Sequence, residues 1–375
     1  MLKKIVIIQN HPTQFDVPLF SYISNKKLFK LVIFYTETNY GGGSGVDSEI
    51  SIAPQWDHTT DLIYEHYFRR STFKIWREIV QLNPIHIIIC GWYPRSHAFL
   101  AILLRISGFS IGIRSDNTLM HTKLTSFHGL VKRFIMAFWL GIYNVWHPVG
   151  SLSSDYLNKL SFLKRDSIYF PYSIDVDWFE GNNKSINTKR IELRNNLGIS
   201  PDNFIILGVM KWSDREDPIT LVNAFIRAYQ SNHNIRLLLV GDGPLRNKIM
   251  DLISQAPNLF IAPGYVKYSE LPMYYSISDL FVHPAKSEPY GVSIQEAMAC
   301  GLPVLASSMV GAASDFIVPG VNGDIFPVGD VNSLANYINM YASKVDDHFS
   351  RDVSILKSEE WSYINTIKKW NKWLG

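Results

Sequence analysis

Short apolar runs alternate with amphipathic stretches along nearly the whole of this 375-residue chain. Residues 3–9 (KKIVIIQ) make a strand candidate, followed by His11-Pro12-Thr13-Gln14-Phe15-Asp16 and a helical pattern from Val17. Residues 31–35 and 85–90 read as strands, 73–82 and 95–107 as helices. Further strands are expected at 110–113 and 143–146, and further helices at 124–140 and 151–160. Residues 38–56 are rich in Gly and Ser and read as a loop. The pattern breaks at 171–187, where polar residues take over, and a domain boundary is expected there. Beyond it the alternation restarts, with strands at 204–210, 235–240, 259–261, 280–283 and 304–306. Helices are expected at 219–229, 244–254, 270–276, 292–299, 331–341 and 361–373. This alternation predicts an α/β chain with two doubly wound, mostly parallel sheets. Ligands of such sheets bind beyond the carboxyl ends of the strands.

The chemistry concentrates in residues 280–307, LFVHPAKSEPYGVSIQEAMACGLPVLAS. They read as strand, loop, helix and strand. Glu288 stands in the loop and Glu296 inside the helix, separated by roughly 10 Å if most of the spacing is helical. The free N–H groups and positive dipole end of the helix start suit a phosphate. Two readings are open for the acids: ligand groups at the two ends of an extended anion, or a capping acid and a solvated helix residue.

With Pro289-Tyr290-Gly291 after the first Glu and Ala297-Met298-Ala299-Cys300-Gly301-Leu302-Pro303-Val304 after the second, this stretch resembles the family 4 retaining glycosyltransferases, within the glycosyl transferases group 1. Gly311, Pro319, Gly320, Asn322 and Gly323 continue the likeness, which is strong over residues 171–345 and rests on layout alone before them. The resemblance implies a GT-B fold, two Rossmann-like domains facing across a cleft. Residues 1–172 would form an acceptor-binding domain and 173–354 a nucleotide-sugar-binding domain, with a terminal helix at 355–375 returning to the first.

Site roles follow from the same resemblance. Glu296 should hydrogen-bond ribose hydroxyls and Glu288 should sit against the donor sugar, with the Tyr290, Gly291 and Val292 amides at the sugar and phosphate. Lys211 stands where relatives carry a basic residue for the diphosphate. Glu216 stands where they carry a Lys, and Arg215 is the candidate replacement, since a guanidinium pairs with phosphate oxygens bidentately. Gly241 and Gly243, in Val240-Gly241-Asp242-Gly243-Pro244-Leu245, are expected to bring backbone close to the nucleotide. Tyr265 and Val266 match a loop that presents main-chain groups to the base, with ordinary loop packing equally open for the Tyr265 side chain. Acceptor candidates are His11, Gln14, Asp16, Arg95 and His97. Asp116 stands near the position of a His in many relatives, with a role near the donor sugar or as a helix cap.

Composition narrows the class. At 47% apolar and 18% charged the chain is globular. Its two cysteines, Cys90 and Cys300, have no metal-ligand spacing and read as buried free thiols. Met1-Leu2-Lys3-Lys4 leads straight into a strand, so no secretory signal is expected and the protein is placed in the cytoplasm. Asp175-Val176-Asp177 in the interdomain turn is read as structural, and no metal or organic cofactor is expected. Residues 1–170 carry 18 Lys+Arg against 11 Asp+Glu, the remainder 18 against 22. That basic front half, with Lys123, Lys132 and Arg133 beside the apolar run 134–146, suggests contact with the inner face of an anionic membrane; a buried core helix is the alternative. No nucleic-acid-binding module is recognisable.

The expected activity is transfer of a hexose from a nucleoside diphosphate sugar, UDP-linked, to a hydroxyl of a glycan or lipid-linked saccharide in polysaccharide biosynthesis. Two alternatives stand: a sugar phosphorylase or epimerase of the same fold, and a non-catalytic nucleotide-sugar-binding subunit.

Overall fold

The computed structural model describes residues 2–36, 62–68, 70–91, 94–122, 127–343 and 349–375. The expected loop at 38–56, Trp92, Tyr93 and Lys123 lie outside them. Among the described residues the chain divides into two units. One holds the residues up to 174 together with 363–375, and the other holds 175–362.

The first unit runs β1 (Lys4–Gln9), α1 (Asp16–Asn25), β2 (Lys30–Tyr35), β3 (Glu65–Phe68), α2 (Thr72–Leu82), β4 (His86–Cys90), α3 (Arg95–Ile106), β5 (Ile111–Ser115), α4 (Phe127–Ile142), β6 (Val145–Pro148), α5 (Ser151–Leu160) and β7 (Asp166–Ser167). Its seven strands lie in the order β3-β2-β1-β4-β5-β6-β7 and every pairing is parallel. Parallel strands buried on both faces explain why β1, β2 and β4 are almost continuously apolar. Val6, Ile8, Val32 and Phe34 join one core, and Ile5, Ile7, Leu31 and Ile33 join the core on the opposite face.

The second unit runs α6 (Val176–Asn187), α7 (Arg190–Asn196), β8 (Phe204–Val209), α8 (Pro218–Tyr229), β9 (Ile235–Val240), α9 (Arg246–Ser254), β10 (Phe260–Gly264), α10 (Leu271–Ser276), β11 (Leu280–His283), α11 (Val292–Ala299), β12 (Val304–Ser307), α12 (Ala313–Phe316), β13 (Gly323–Phe326), α13 (Val331–Ser343) and α14 (Arg351–Glu360). The sheet order is β10-β9-β8-β11-β12-β13, again all parallel. Each sheet therefore reverses its winding once, at β1/β4 and at β8/β11. These are the points where doubly wound sheets open a crevice.

Two stretches depart from the sequence reading. The polar segment expected as a boundary turn is helical: Asp175 caps α6 by accepting a hydrogen bond from the Trp178 N–H at 3.0 Å. Asp175 thereby serves the local backbone. The terminal stretch is also two helices, not one. Residues 355–362, expected with the returning helix, finish α14 and its turn in the second unit, and α15 (Tyr363–Leu374) belongs to the first. Trp370 is buried there, its indole donating to the Tyr169 carbonyl at 3.2 Å, while Thr366 bonds Ser173 at 3.1 Å.

Candidate functional site

In the second unit, the crevice point between β8 and β11 gathers four of the residues singled out above. Arg215 is the hub. Its Nη1 donates to Glu288 Oε2 at 2.7 Å and to the Ser287 carbonyl at 3.2 Å. Its Nη2 donates to Glu216 Oε1 at 2.7 Å. Glu216 in turn accepts from the Lys211 backbone N–H, through Oε2, at 2.7 Å. The loop after β8 is thus stitched to the loop after β11 by one guanidinium and two carboxylates. Further ties run the same way: the Arg215 carbonyl accepts from the Lys286 N–H at 2.8 Å, and Lys286 Nζ lies 3.0 Å from Asp217.

The two acids of this chain of contacts differ in exposure. Glu216 is buried to 7% relative exposure, and burial pushes its carboxyl up to about 7 against the opposing pull of Arg215 and the Lys211 N–H. Glu288 remains 18% exposed and Arg215 36%. The departure from the family pattern at Glu216 therefore has a visible consequence, because this acid anchors Arg215 from behind.

Gly291 turns the chain into α11 at φ +99°, a conformation that suits glycine, and a Cβ there would come within 2.8 Å of Val310. The Tyr290 N–H donates to Glu288 Oε1 at 3.3 Å, so this amide orients the acid; Tyr290 itself is buried. Val292 begins the helix, and the amide two residues before it already faces Glu288, so the helix N-terminal end lies beside that acid. Below them sits His283, at the end of β11, buried, with burial lowering its basicity and both ring nitrogens lacking hydrogen-bond partners among the described residues.

Glu296, one turn into α11, is also buried. It accepts from the Tyr275 hydroxyl at 2.7 Å, and burial raises its carboxyl to about 7 while hydroxyls of Tyr275 and Tyr268 hold it lower. Neither tyrosine was marked by sequence spacing, because they come from α10 and the turn before it. Gly241 and Gly243 are fixed by backbone proximity. A Cβ on Gly241 would lie 1.8 Å from the Met210 carbonyl oxygen, and one on Gly243 2.6 Å from that of Trp212. Close approach is real, and its partner is the Met210–Trp212 segment that contains Lys211. Tyr265 and Val266 follow β10, with Tyr265 38% exposed.

The first unit has a separate centre. A cavity of about 270 Å³ opens at its own reversal point and is lined by Gln9, Asn10, Thr13, Asp16, Arg114, Asp116 and Tyr172, among others. Asp16 and Arg114 form a buried pair at 2.7 Å. Gln9 and Thr13 donate to the other Asp16 oxygen at 2.8 and 2.9 Å. The remaining Arg114 nitrogens donate to the carbonyls of Phe170 and Pro171, each at 2.9 Å, and the guanidinium lies over the Phe170 and Tyr172 rings. Burial works against this cation, and the Asp16 charge more than restores it, so the guanidinium is held protonated. Asp16 is therefore a frame residue before it is a ligand group. Asp116, by contrast, accepts from the Tyr172 hydroxyl at 3.0 Å and faces the same cavity.

His11, Gln14, Arg95 and His97 are not among the residues lining this cavity. His97 is fully buried, 3.4 Å from the Thr36 hydroxyl, and burial lowers its imidazole to about 4. Arg95 opens α3 and is exposed. Sequence reasoning missed Gln9, Arg114 and Tyr172; the available signal was a lone Arg in the apolar strand β5. Cys90 and Cys300 are free thiols, and burial pushes Cys90 up to about 12.

Residues 189–346 match the family model described as Glycosyl transferases group 1. Over those residues the second unit is similar to the group 1 glycosyl transferases. Over 174 residues the chain is 29% identical to the alpha-monoglucosyldiacylglycerol synthase of Acholeplasma laidlawii, covering 45% of this chain and 43% of that protein. It is 32% identical over 186 residues to the Streptococcus pneumoniae enzyme of the same name, covering 47% and 40%. The chain thus matches less than half the length of either relative. Among solved structures, Anabaena HepE in complex with UDP superimposes with a TM-score of 0.74, 15% identity and 99% coverage of both chains. That likeness carries the GT-B fold, and the group 1 match carries the assignment of the unit that contains Arg215, Glu288 and Glu296.

Proposed function

We propose that the chain is a retaining glycosyltransferase that moves a hexose from a UDP-sugar to a hydroxyl of a glycan or lipid-linked saccharide. The observation that carries this reading is the guanidinium of Arg215, one-third exposed and clamped between Glu216 and Glu288 at the N-terminal end of α11. A diphosphate set there meets a positive side chain and a helix dipole together. Glu288 is placed for the hexose and Glu296 for the ribose, where a carboxylate has acceptor capacity beyond its two tyrosine hydroxyls. HepE was crystallised with UDP and with UDP-glucose, which supports a uridine donor. The names of the two bacterial relatives support a lipid-linked acceptor.

Chemistry then consists of positioning and charge stabilisation. The acceptor hydroxyl attacks the anomeric carbon on the face the diphosphate leaves, and a diphosphate oxygen takes the hydroxyl proton. Lys211, Arg215 and the N-terminal end of α11 stabilise the departing charge. The first unit's cavity would hold the acceptor. Every Arg114 nitrogen already donates to the protein there, which leaves the Asp116 carboxylate as the charged group offered to a ligand among the described lining residues. Such a lining suits an uncharged ring rich in hydroxyls.

Thermal-shift titration with UDP-, GDP- and ADP-hexoses tests the donor. A hundredfold excess over Kd should add about 2.7 kcal/mol of stability with the matching base. Glu296→Ala should weaken that ligand by roughly 1.5–3 kcal/mol. A second reading, a silent nucleotide-sugar-binding subunit, is motivated by Glu216 in place of a basic residue. It predicts the same thermal shift with no hydrolysis or transfer of the donor.

A further inference from the structure

The outer face of α4 presents Leu130, Val131, Phe134, Ile135 and Phe138, at helical spacing and all largely exposed, from 45% at Val131 to 70% at Phe138. The opposite face of the same helix is buried through Ala137 and Leu140. The apolar face continues onto the turn between α5 and β7, where Phe162 and Leu163 are also exposed. Three contacts make these two elements one surface. The Phe134 and Phe162 rings lie 5.5 Å apart, Leu163 covers Gly141, and Arg165 donates to the Gly141 carbonyl at 3.3 Å. Seven large apolar side chains side by side in water are costly for a protein with no use for them, and patches of this kind mark binding surfaces.

Charge decides what kind of surface it is. Residues 127–166 carry five Lys and Arg against two acids, Asp155 and Asp166. Their excess equals the net charge of the whole chain, +3. Arg133 stands exposed on α4, and Lys159 and Lys164 flank the turn that carries Phe162. Two copies meeting through this face would bring like-charged rims together. An anionic bilayer accepts both parts, the apolar stripe at the acyl boundary and the cations among the headgroups. No helix of the described residues is long and apolar enough to cross a membrane, so the contact would be one of lying in the interface.

We infer that α4 and the Phe162–Leu163 turn dock this protein on membranes rich in anionic lipid. The inference does not depend on the donor assignment, because vesicle binding is read without any sugar nucleotide. The experiment is flotation of the full chain with phosphatidylcholine vesicles, with and without phosphatidylglycerol. Wild type should float with the anionic vesicles and stay behind with the neutral ones. Phe134→Ser combined with Phe138→Ser should abolish flotation while leaving the thermal midpoint and the sugar-nucleotide shift in place, since both side chains face solvent. Arg133→Ala and Lys164→Ala, which disturb no apolar contact, should each weaken binding roughly fivefold. Failure of wild type to float with anionic vesicles overturns the inference, as does a double variant that floats like wild type. A concentration-dependent dimer in sedimentation that the same double variant abolishes, without flotation, overturns it too and assigns the face to a second copy instead.

Discussion

Two guanidinium–carboxylate pairs sit at equivalent places in the two sheets, and they are built for opposite purposes. Arg114 and Asp16, at the β1/β4 reversal, are almost completely buried, and every nitrogen of the guanidinium has a protein partner. Arg215 and Glu288, at the β8/β11 reversal, form an equally short pair but keep about a third and a fifth of their side chains in solvent. A buried pair whose cation is bonded to protein at every nitrogen holds a wall in place. An exposed pair whose cation is anchored by a second acid is poised to exchange one partner for a ligand.

The largest effect should come from breaking the wall. Arg114→Ala leaves the Asp16 carboxylate buried with only Gln9 and Thr13 as side-chain donors among the described residues, and removing one partner of such a pair costs about 3–5 kcal/mol. Chemical denaturation should show that loss, with donor-induced stabilisation reduced only in proportion to the folded fraction. If Arg114→Ala keeps wild-type stability, the cavity is not organised by this pair.

Arg215→Ala should do the reverse. The partly exposed pair with Glu288 contributes about 0–1 kcal/mol to folding, and the buried Glu216 can take up a proton when it loses Arg215, so stability should fall less than in Arg114→Ala. Removing a cation aimed at developing charge typically costs roughly 10²–10³ in rate, or about 2.7–4 kcal/mol in the transition state. Transfer assays with a saturating UDP-hexose would measure it as a fall in kcat, with Arg215→Lys restoring part of the loss. An Arg215→Ala variant that turns over normally would remove Arg215 from the mechanism and leave Lys211 as the anion contact.

The same contrast explains what could be read from the sequence. The strands were legible because parallel strands in a double-faced core must be apolar throughout, as in KIVIIQ and KLVIFY. Edge strands were not: Glu65–Phe68 and Gly323–Phe326 are short and half-polar, and the apolar pattern marks no strand there. Glu288 and Glu296 were legible because local spacing around one helix start ties them together, whereas Lys211 and Arg215 were legible only through the resemblance to the glycosyltransferase family. Arg114, Tyr172, Tyr275 and the Asp16 role were not, because each depends on a partner 21 to 98 residues away. Helix α6 was hidden by its polar outer face, and only the cap at Asp175 signalled it.

The finest test of the comparison is pH. Glu216 titrates near 7 in the folded protein instead of the ordinary 4.5, with burial as the first cause. A carboxyl whose folded value lies above its unfolded one binds its proton more tightly when folded. Its contribution is complete below the unfolded value and is lost as pH rises through the folded one. Stability should therefore fall between about pH 5 and pH 8, by on the order of 1–3 kcal/mol for this group. Glu216→Gln should flatten that decline, leaving whatever part Glu296, also near 7, contributes. Because Arg215 pulls the Glu216 value down, Arg215→Ala should move the steep part of the curve to higher pH, whereas a substitution at Asp16 should not move it. A thermal midpoint that follows the same pH curve in wild type, Glu216→Gln and Arg215→Ala would mean that Glu216 does not anchor the guanidinium, and the second centre would lose the feature that separates it from the first.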